Sequence, residues 1–430
     1  MKFTCYTQGC KVNQYESQAM EQRLLALGHT LGAPDEPCDA YIINTCTVTA
    51  AADRKNRTLI RRIRKENPQA VIGVCGCYAQ VNTQAVRALG VDVISGSGGQ
   101  EEFVRLLVQA TQSKLQEALV HVDNAAERRQ FEMLPAGGLA ARTRAMLKVQ
   151  DGCNNFCSYC IIPYARGRVR SLPLLQALEQ ARAVAENGYK ELVLTGIEVA
   201  SWGQDFKDGS SFADLVCAVC DAVPALRVRL GSLEPRIVDE AFCLRLKALP
   251  NLCGQFHLSL QSGCDGVLKR MNRKYDTARY LQSVALLREH FPDCAVTTDL
   301  IVGFPGETEA EFAQSLAFAE TCRFAAIHVF PYSRRAGTPA ANMQQQLSKA
   351  EKSARSARAG DCAERLAKRF QDALIGSRQE VLFEQGAQGL FSGHAKNGVM
   401  VYAEGDALEN QVRLVRIEAP YGDGVFGQIL

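Results

Sequence analysis

Hydrophobic and polar positions follow two rhythms along this chain. Between residue 2 and Gly99, the short apolar runs KFTCYTQ, AYIINTC, AVIGVCGC and VDVISGS read as buried strands. Between them, QYESQAMEQRLLALG and RTLIRRIRKEN carry the wider spacing of helices. Strand and helix in alternation predict a Rossmann-like parallel sheet. Gly96, Gly98 and Gly99 close this region, and after a further helical segment Pro135 to Arg144 (PAGGLAARTR) has the Gly-rich composition of a linker, which places a boundary near 138.

The alternation resumes at AMLKVQ and continues through ELVLTG, LRVRLGS, QFHLSLQ, AVTTDLIVGF and AAIHVFPYS, with helical stretches such as LPLLQALEQARAVAENG and TARYLQSVALLREHF between. Six βα units result, short of the roughly eight that close a full barrel, so an incomplete barrel and an open doubly wound sheet both fit. A long charged helical stretch, LSKAEKSARSARAGDCAERLAKRFQDALIG, follows. From Gln379 to Leu430, short alternating strands broken by Gly and Asn predict a small all-β barrel. The expected division of this α/β chain is 1–137, 138–372 and 373–430, with no internal repeat or low-complexity tract.

Of the 430 residues, 47% are hydrophobic and 22% charged, which argues against disorder and coiled coil. No stretch approaches the roughly 18 consecutive apolar residues of a spanning helix, and MKFTCYTQGC lacks the apolar core of a secretion signal. A soluble, cytoplasmic protein with no membrane partner is expected. Lys and Arg exceed Asp and Glu by only three, so a polyanionic partner must be met by local clustering of charge. The 17 cysteines point to metal or redox chemistry, because disulfides rarely persist in a reducing compartment.

The strongest local signal is QDGCNNFCSYCIIPYARGR, in which Cys153, Cys157 and Cys160 follow the first strand of the second region. Such loops lie at the strand ends where α/β folds keep their sites. A structural zinc site normally takes four protein ligands, so zinc needs a distant fourth ligand here. A four-iron cluster held by three thiolates keeps one iron open for a chelating ligand. The C-x3-C-x2-C spacing, with Tyr159 before the third cysteine, resembles the radical S-adenosylmethionine enzymes.

The resemblance extends along the whole chain to a narrower group, the radical methylthiotransferases that act on N6-threonylcarbamoyladenosine in tRNA. It is carried by TQGCKVNQYES, INTCTV, VCGCYAQ, QDGCNNFCSYCIIPYARGRVRS, LTGIEVASWG, LGSLEP, HLSLQSGCDGVLKRMNR, TDLIVGFPGET and HVFPYSRRAGTPA, in that order. It implies a central partial (βα)6 barrel and two [4Fe–4S] clusters, with Cys153, Cys157 and Cys160 holding the one that binds S-adenosylmethionine. Cys10, Cys46 and Cys77 each follow a predicted strand of one sheet, so they should emerge at its carboxyl edge. By resemblance they hold the second cluster, whose free iron carries the sulfur to be transferred.

Cys75 departs from the family pattern and makes a CGC with Cys77; either thiol fits. Cys77 matches the motif, and alternate strand residues point to opposite faces. The remaining cysteines, among them Cys5, Cys38, Cys217, Cys220, Cys253 and Cys362, read as core or incidental. For S-adenosylmethionine, the resemblance assigns Tyr159 to the adenine and Thr195, Gly196 and Glu198 to the amino acid part. Ser232, Glu234 and Gln261 end later strands, and the GFPG turn at Gly303 to Gly306 shapes the site.

The implied reaction cleaves S-adenosylmethionine to a 5′-deoxyadenosyl radical, which takes hydrogen from C2 of the modified adenine at position 37, next to the anticodon. That ring C–H bond has no useful acidity, so the cofactor must bring the radical. A methylated sulfur then joins the carbon, and a second S-adenosylmethionine supplies the methyl group. A reductant protein of the flavodoxin or ferredoxin class and a sulfur donor are implied partners. The anticodon stem-loop of tRNA would meet Arg54, Lys55, Arg57, Arg61, Arg62, Arg64 and Lys65 on one predicted helix. It would also meet the terminal barrel, which resembles the TRAM domain, and Arg334, Arg335 and the basic residues between Lys349 and Arg369 extend this footprint. The rivals are sister enzymes acting on N6-isopentenyladenosine of tRNA or on an aspartate of a ribosomal protein, and a non-catalytic zinc-binding RNA module.

Overall fold

The computed structural model describes residues 1–33, 36–113, 116–136 and 143–430, so the expected boundary near 138 lies outside the described residues. The amino-terminal part is a parallel six-stranded sheet of β1 (Lys2–Thr7), β2 (Thr30–Leu31), β3 (Ala40–Thr45), β4 (Val71–Gly76), β5 (Val93–Ser95) and β6 (Leu119–His121), ordered β2-β1-β3-β4-β5-β6. The apolar runs predict β1, β3, β4 and β5, while β2 and β6, of two and three residues, carry no such run. The order reverses between β1 and β3, so the loops after these strands diverge to opposite faces and leave a crevice at the carboxyl edge. Helix α1 (Lys11–Ala26) follows β1 directly, and α2 (Ala50–Glu66) is started by Thr49, whose side chain accepts from the Ala52 amide.

The second part settles the choice left open by periodicity. A ribbon of β8 (Gln150–Asp151) and β9 (Arg170–Ser171) stands beside six parallel strands: β7 (Arg144–Lys148), β10 (Glu191–Thr195), β11 (Arg227–Leu230), β12 (Gln255–His257), β13 (Ala295–Val302) and β14 (Ala326–Pro331). They adjoin one another in chain order, with β11 and β12 joined through the bridges Val228–Leu252 and Leu233–Leu258. A doubly wound sheet would reverse its order; sequential pairing curls into an incomplete barrel. Helix Lys349–Ala373 packs along β14 at its open edge, and α1 packs against β7 at the other.

The carboxyl-terminal strands β15 (Arg378–Ala387), β16 (Leu390–Ala395), β17 (Met400–Glu404), β18 (Val412–Tyr421) and β19 (Gly424–Ile429) form a closed barrel ordered β15-β16-β17-β19-β18. The parallel pair β17–β19 gives it the OB-like closure. It docks at the amino-terminal ends of the half-barrel strands. There Arg227 and Arg229, paired with buried Glu191, donate to the carbonyls of His394, Ala395 and Lys396.

The joint between the first two parts is ionic and fully enclosed. Arg166, at the end of helix Ile162–Arg166, donates to Glu16 of α1 at 2.8 and 3.0 Å, to Asn13 at 3.1 Å and to Asp151 at 3.3 Å. Lys148 reaches Glu16 at 3.0 Å and Asp151 at 3.1 Å, and Arg170 lies 3.5 Å from Asp151. Its partners hold the Asp151 and Glu16 carboxyls below the usual range against the cost of burial. Replacing one partner of such a network leaves buried charge uncompensated at about 3–5 kcal/mol. Glu16→Gln should therefore lower the urea midpoint of the anaerobically prepared protein by a corresponding amount; an unchanged midpoint would show that the joint does not depend on this carboxylate.

Candidate active site

The loop after β8 is bent by its own backbone. Gly152 sits at φ +74°, where an added Cβ would lie 1.9 Å from the Arg168 carbonyl oxygen, so only glycine lets the chain turn there. Phe156 adopts φ +46° between the first two cysteines, and its carbonyl accepts from the Asn272 side chain at 2.9 Å. The result brings Cys153, Cys157 and Cys160 to one cavity of about 140 Å³, together with Tyr159, Glu198, Ser232, Glu234, Gln261 and Arg273. Burial pushes the Cys153 and Cys160 thiols up to about 12. Such thiols stay protonated at neutral pH unless a metal takes the proton's place.

Around this cavity the chain leaves specific groups exposed to a ligand. Arg273, which sequence reasoning passed over inside the motif VLKRMNR, donates to the Cys157 sulfur at 3.3 Å and stacks on Tyr275. Burial, followed by the charge of Glu234, raises the Glu198 carboxyl to about 7. One Glu198 oxygen is buried with no hydrogen-bond partner, an unfilled acceptor that suits an ammonium donor. Gln261 holds φ +69°, a strained conformation of the kind that gathers at binding sites. Glu234 is engaged by Arg236 at 2.8 Å. Thr195 and Gly196 stand apart from the others, on the wall of a second, larger cavity.

The other three cysteines converge at the carboxyl edge of the first sheet. Cys10 occupies the cap position of α1 without a side-chain capping bond, Cys46 follows β3, and Cys77 opens α3 (Cys77–Val81) after β4. Gly9, at φ +122°, brings the first loop so close that an added Cβ would lie 2.7 Å from the Cys46 Cβ. Arg166 donates its Nε–H to the Cys77 sulfur at 3.2 Å. Arg166 thus reaches Cys77 as well as the carboxylates Glu16 and Asp151. Burial raises the Cys77 thiol to about 12, with Arg166 opposing. Cys75 points the other way, into an apolar layer with Phe3, Met20 and Phe103. Among the described residues, no three His, Cys, Asp or Glu side chains close on a single point as ligands of one ion do. A four-iron cluster instead takes each thiolate on a different iron, and both sets, with arginine donors on their sulfurs, fit that group.

The larger cavity, of about 670 Å³, is reached by one cysteine, Cys10. Cys10 and Lys11 line it on one side, Thr195, Gly196 and Ser232 at the strand ends, His257, Asp299 and His328 on the inner wall, and Asn397 to Met400 from the terminal barrel. Ser232 belongs to the wall of both cavities. His257 lies 3.3 Å from Asp299 and 3.0 Å from the Thr297 hydroxyl. Neither the histidine pair nor Lys11 stood out as a site from sequence; only the strand register places them inside.

The basic surface is smaller than expected. Arg54, Lys55, Arg61, Arg62 and Lys65 are exposed along α2, whereas Arg57 donates to Tyr78 and Arg64 pairs with Asp92 at 2.5 Å. Arg335 is buried against Asp53 and Thr47 at 2.7 and 2.5 Å and is not available to a nucleic acid, while Arg334 remains exposed. Arg355, Arg358, Arg365 and Arg369 pair with Glu307, Glu309 and Glu320 and brace this helix against the half-barrel, while Lys349, Arg358, Arg365, Lys368 and Arg369 remain exposed.

Residues 147–319 match the Radical SAM superfamily and residues 2–96 match the Uncharacterized protein family UPF0004. The chain is 36% identical to the threonylcarbamoyladenosine tRNA methylthiotransferase MtaB of Bacillus subtilis, over 99% of this chain and 96% of that one. It is 37% identical to the protein of the same name from Thermotoga maritima, over 97% and 95%. It is also 34% identical to the tRNA-2-methylthio-N(6)-dimethylallyladenosine synthase of Acetivibrio thermocellus, over 93% and 85%. In fold it is similar to the radical S-adenosylmethionine methyltransferase TsrM of Kitasatospora setae, with TM-score 0.58 and 14% identity over 91% of this chain and 80% of that one. No helix among the described residues is long and apolar enough to cross a membrane.

Glu198 supplies a pH test. Its carboxyl binds a proton more tightly folded, at about 7, than unfolded, near the ordinary 4.5, so the stability it contributes is present below pH 4.5 and lost as pH rises through 7. Without S-adenosylmethionine, Glu198→Gln should be more resistant to urea than wild type at pH 8.5, with the gap closing toward pH 5. A gap independent of pH would mean that Glu198 does not titrate in this range.

Proposed function

The chain belongs to the radical S-adenosylmethionine tRNA methylthiotransferases, and from that premise we propose that it converts N6-threonylcarbamoyladenosine at position 37 of tRNA to its 2-methylthio derivative. Cys153, Cys157 and Cys160 hold one [4Fe–4S] cluster, and Cys10, Cys46 and Cys77 hold the other. The observation that supports this reading is a cavity large enough for a purine that Cys10 of one set lines and that shares Ser232 with the cavity holding the three cysteines of the other. When bound, the clusters and two molecules of S-adenosylmethionine supply the one-electron chemistry, the sulfur and the methyl group.

The chain's own residues bind and orient. The unpaired Glu198 oxygen accepts from the amino group of S-adenosylmethionine, Tyr159 covers its adenine, and Gln261, Ser232 and Glu234 wall the cavity. Ser232 stands on the wall of both cavities, and Thr195 and Gly196, at the end of β10, line the larger one, where the base binds. Arg273 and Arg166 direct N–H groups at Cys157 and Cys77 and offset thiolate charge there. Cys75 remains an apolar core residue. The exposed cations of α2 and the terminal barrel hold the anticodon stem-loop by its phosphates. A flavodoxin- or ferredoxin-class reductant and a separate sulfur donor complete the reaction in the cytoplasm, and the divisions 1–137, 138–372 and 373–430 serve sulfur carriage, radical chemistry and RNA binding.

Anaerobic reconstitution should give about eight irons per chain. Cys153→Ala should keep roughly half and lose S-adenosylmethionine cleavage; Cys77→Ala should keep cleavage and lose sulfur insertion; Cys75→Ala should keep both. Cleavage by Cys153→Ala would overturn the ligand assignment. The substrate is tested by mass spectrometry of tRNA nucleosides from cells lacking the gene, with and without complementation. The 2-methylthio-N6-threonylcarbamoyladenosine should vanish and return with the intact gene. Loss of the isopentenyl analogue instead would keep the chemistry and replace the substrate by that of the dimethylallyladenosine relatives.

A further inference from the structure

The wall of the larger cavity carries a cation that no carboxylate of the described residues pairs with. Lys11 follows Cys10 directly, lines the cavity and is exposed within it. Among the described residues it makes neither a hydrogen bond nor an ion pair. The carboxylates around it are engaged or turned to other partners. Glu191, whose charge reaches Lys11, is taken by Arg227 and Arg229; on the cavity wall Asp299 lies against His257 and Asp423 accepts from Tyr402. His328 stands beside His257 with ring centroids 6.0 Å apart. An ammonium left without a partner on a cavity wall contributes no contact to the fold and keeps its three donors free. It is well placed to meet an anion brought in from outside.

The proposed substrate carries such an anion. The threonylcarbamoyl group ends in a carboxylate, which the isopentenyl group lacks, and N6 and C2 share one edge of the adenine ring. A base that presents C2 toward the Cys10 side of the cavity therefore carries its N6 substituent into the same space. We infer that Lys11 is a specificity-determining residue that pairs with the carboxylate of the threonylcarbamoyl group and thereby selects this base over neutral N6-modified adenines. The inference rests on the substrate reading above and adds to it the group that reads the substrate. Its neighbour Cys10 ties selection to the chemistry: the residue that recognises the anion is one peptide bond from the thiol assigned to the sulfur-carrying cluster.

Binding tests this without turnover. The anaerobically purified holoenzyme, with no reductant added, is titrated with fluorescent anticodon stem-loops bearing either N6-threonylcarbamoyladenosine or its methyl ester, which differ by one charge. Wild type should bind the acid on the order of tenfold or more tightly than the ester, as expected when a site built for a charged partner meets a neutral one. Lys11→Met should bind both alike, and Lys11→Arg should keep a preference for the acid. Because each preparation is compared with itself, partial cluster loading cancels from the ratio, and iron content reports whether Cys10 still serves its cluster. Equal binding of acid and ester by wild type, or a wild-type preference retained by Lys11→Met, overturns the inference; a lysine that only met RNA phosphate would give the first result. Failure of the substrate reading is distinct: the reduced holoenzyme would then methylthiolate the isopentenyl stem-loop and leave the threonylcarbamoyl one unchanged.

Discussion

The buried guanidinium of Arg166 is the interaction on which the two chemical halves of this protein depend. It is enclosed from solvent, and it touches the α1 carboxylate of Glu16, the half-barrel carboxylate of Asp151 and the sulfur of Cys77. A charge in that position is tolerable only when every donor finds an acceptor, so the geometry of the joint is over-determined. Helix Ile162–Arg166 begins two residues beyond Cys160, so one short stretch of chain links both cysteine sets. Their separation is set by a rigid ionic contact and not by a linker.

Both cysteine sites break the local rules that the rest of the fold obeys. Three other helices begin with complete capping boxes, at Ser211, Thr308 and Ser348, yet α1 begins at Cys10 with no side-chain cap. Phe156 and Gln261 hold positive φ angles without being glycine. Each departure costs stability, and each places a thiol or a polar group at a cavity wall. The glycines before Cys10 and Cys153 do the same work at less cost, since the backbone approaches other atoms where no side chain fits.

The half-barrel also shows how an open edge is used. Among the described residues no strand closes the ring between β7 and β14; α1 covers one side and the charged brace Lys349–Ala373 the other. Four arginines of that brace pair with Glu307, Glu309 and Glu320, so charge counting along the sequence does not separate bracing residues from free ones. Arg335 misled in the same way, since a motif arginine and a buried ion-pair arginine look alike until their partners are known. With the edge covered, the lumen becomes a cavity to which all three parts of the chain contribute.

By itself the sequence determined the strand–helix alternation, the six βα units, the terminal barrel and the two cysteine sets. These follow from period, turn residues and spacing, which are local properties of the chain. The motifs also carried Tyr159, Glu198, Ser232, Glu234 and Gln261, and the structure places all five around one cavity with the three cysteines. What only the tertiary structure decided is long-range: sequential strand pairing in place of a doubly wound order, the turning of Cys77 toward Arg166 while Cys75 enters the core, and the partners of each buried charge. On α1, Glu16 and Asn13 are buried against Arg166 of the neighbouring part, so its polar face reads as solvent-facing until that surface is in place. Hydrophobic periodicity reports which face leaves water, but it carries no information about which charge will meet which, because that choice is made by residues more than a hundred positions apart, such as Glu16 and Arg166.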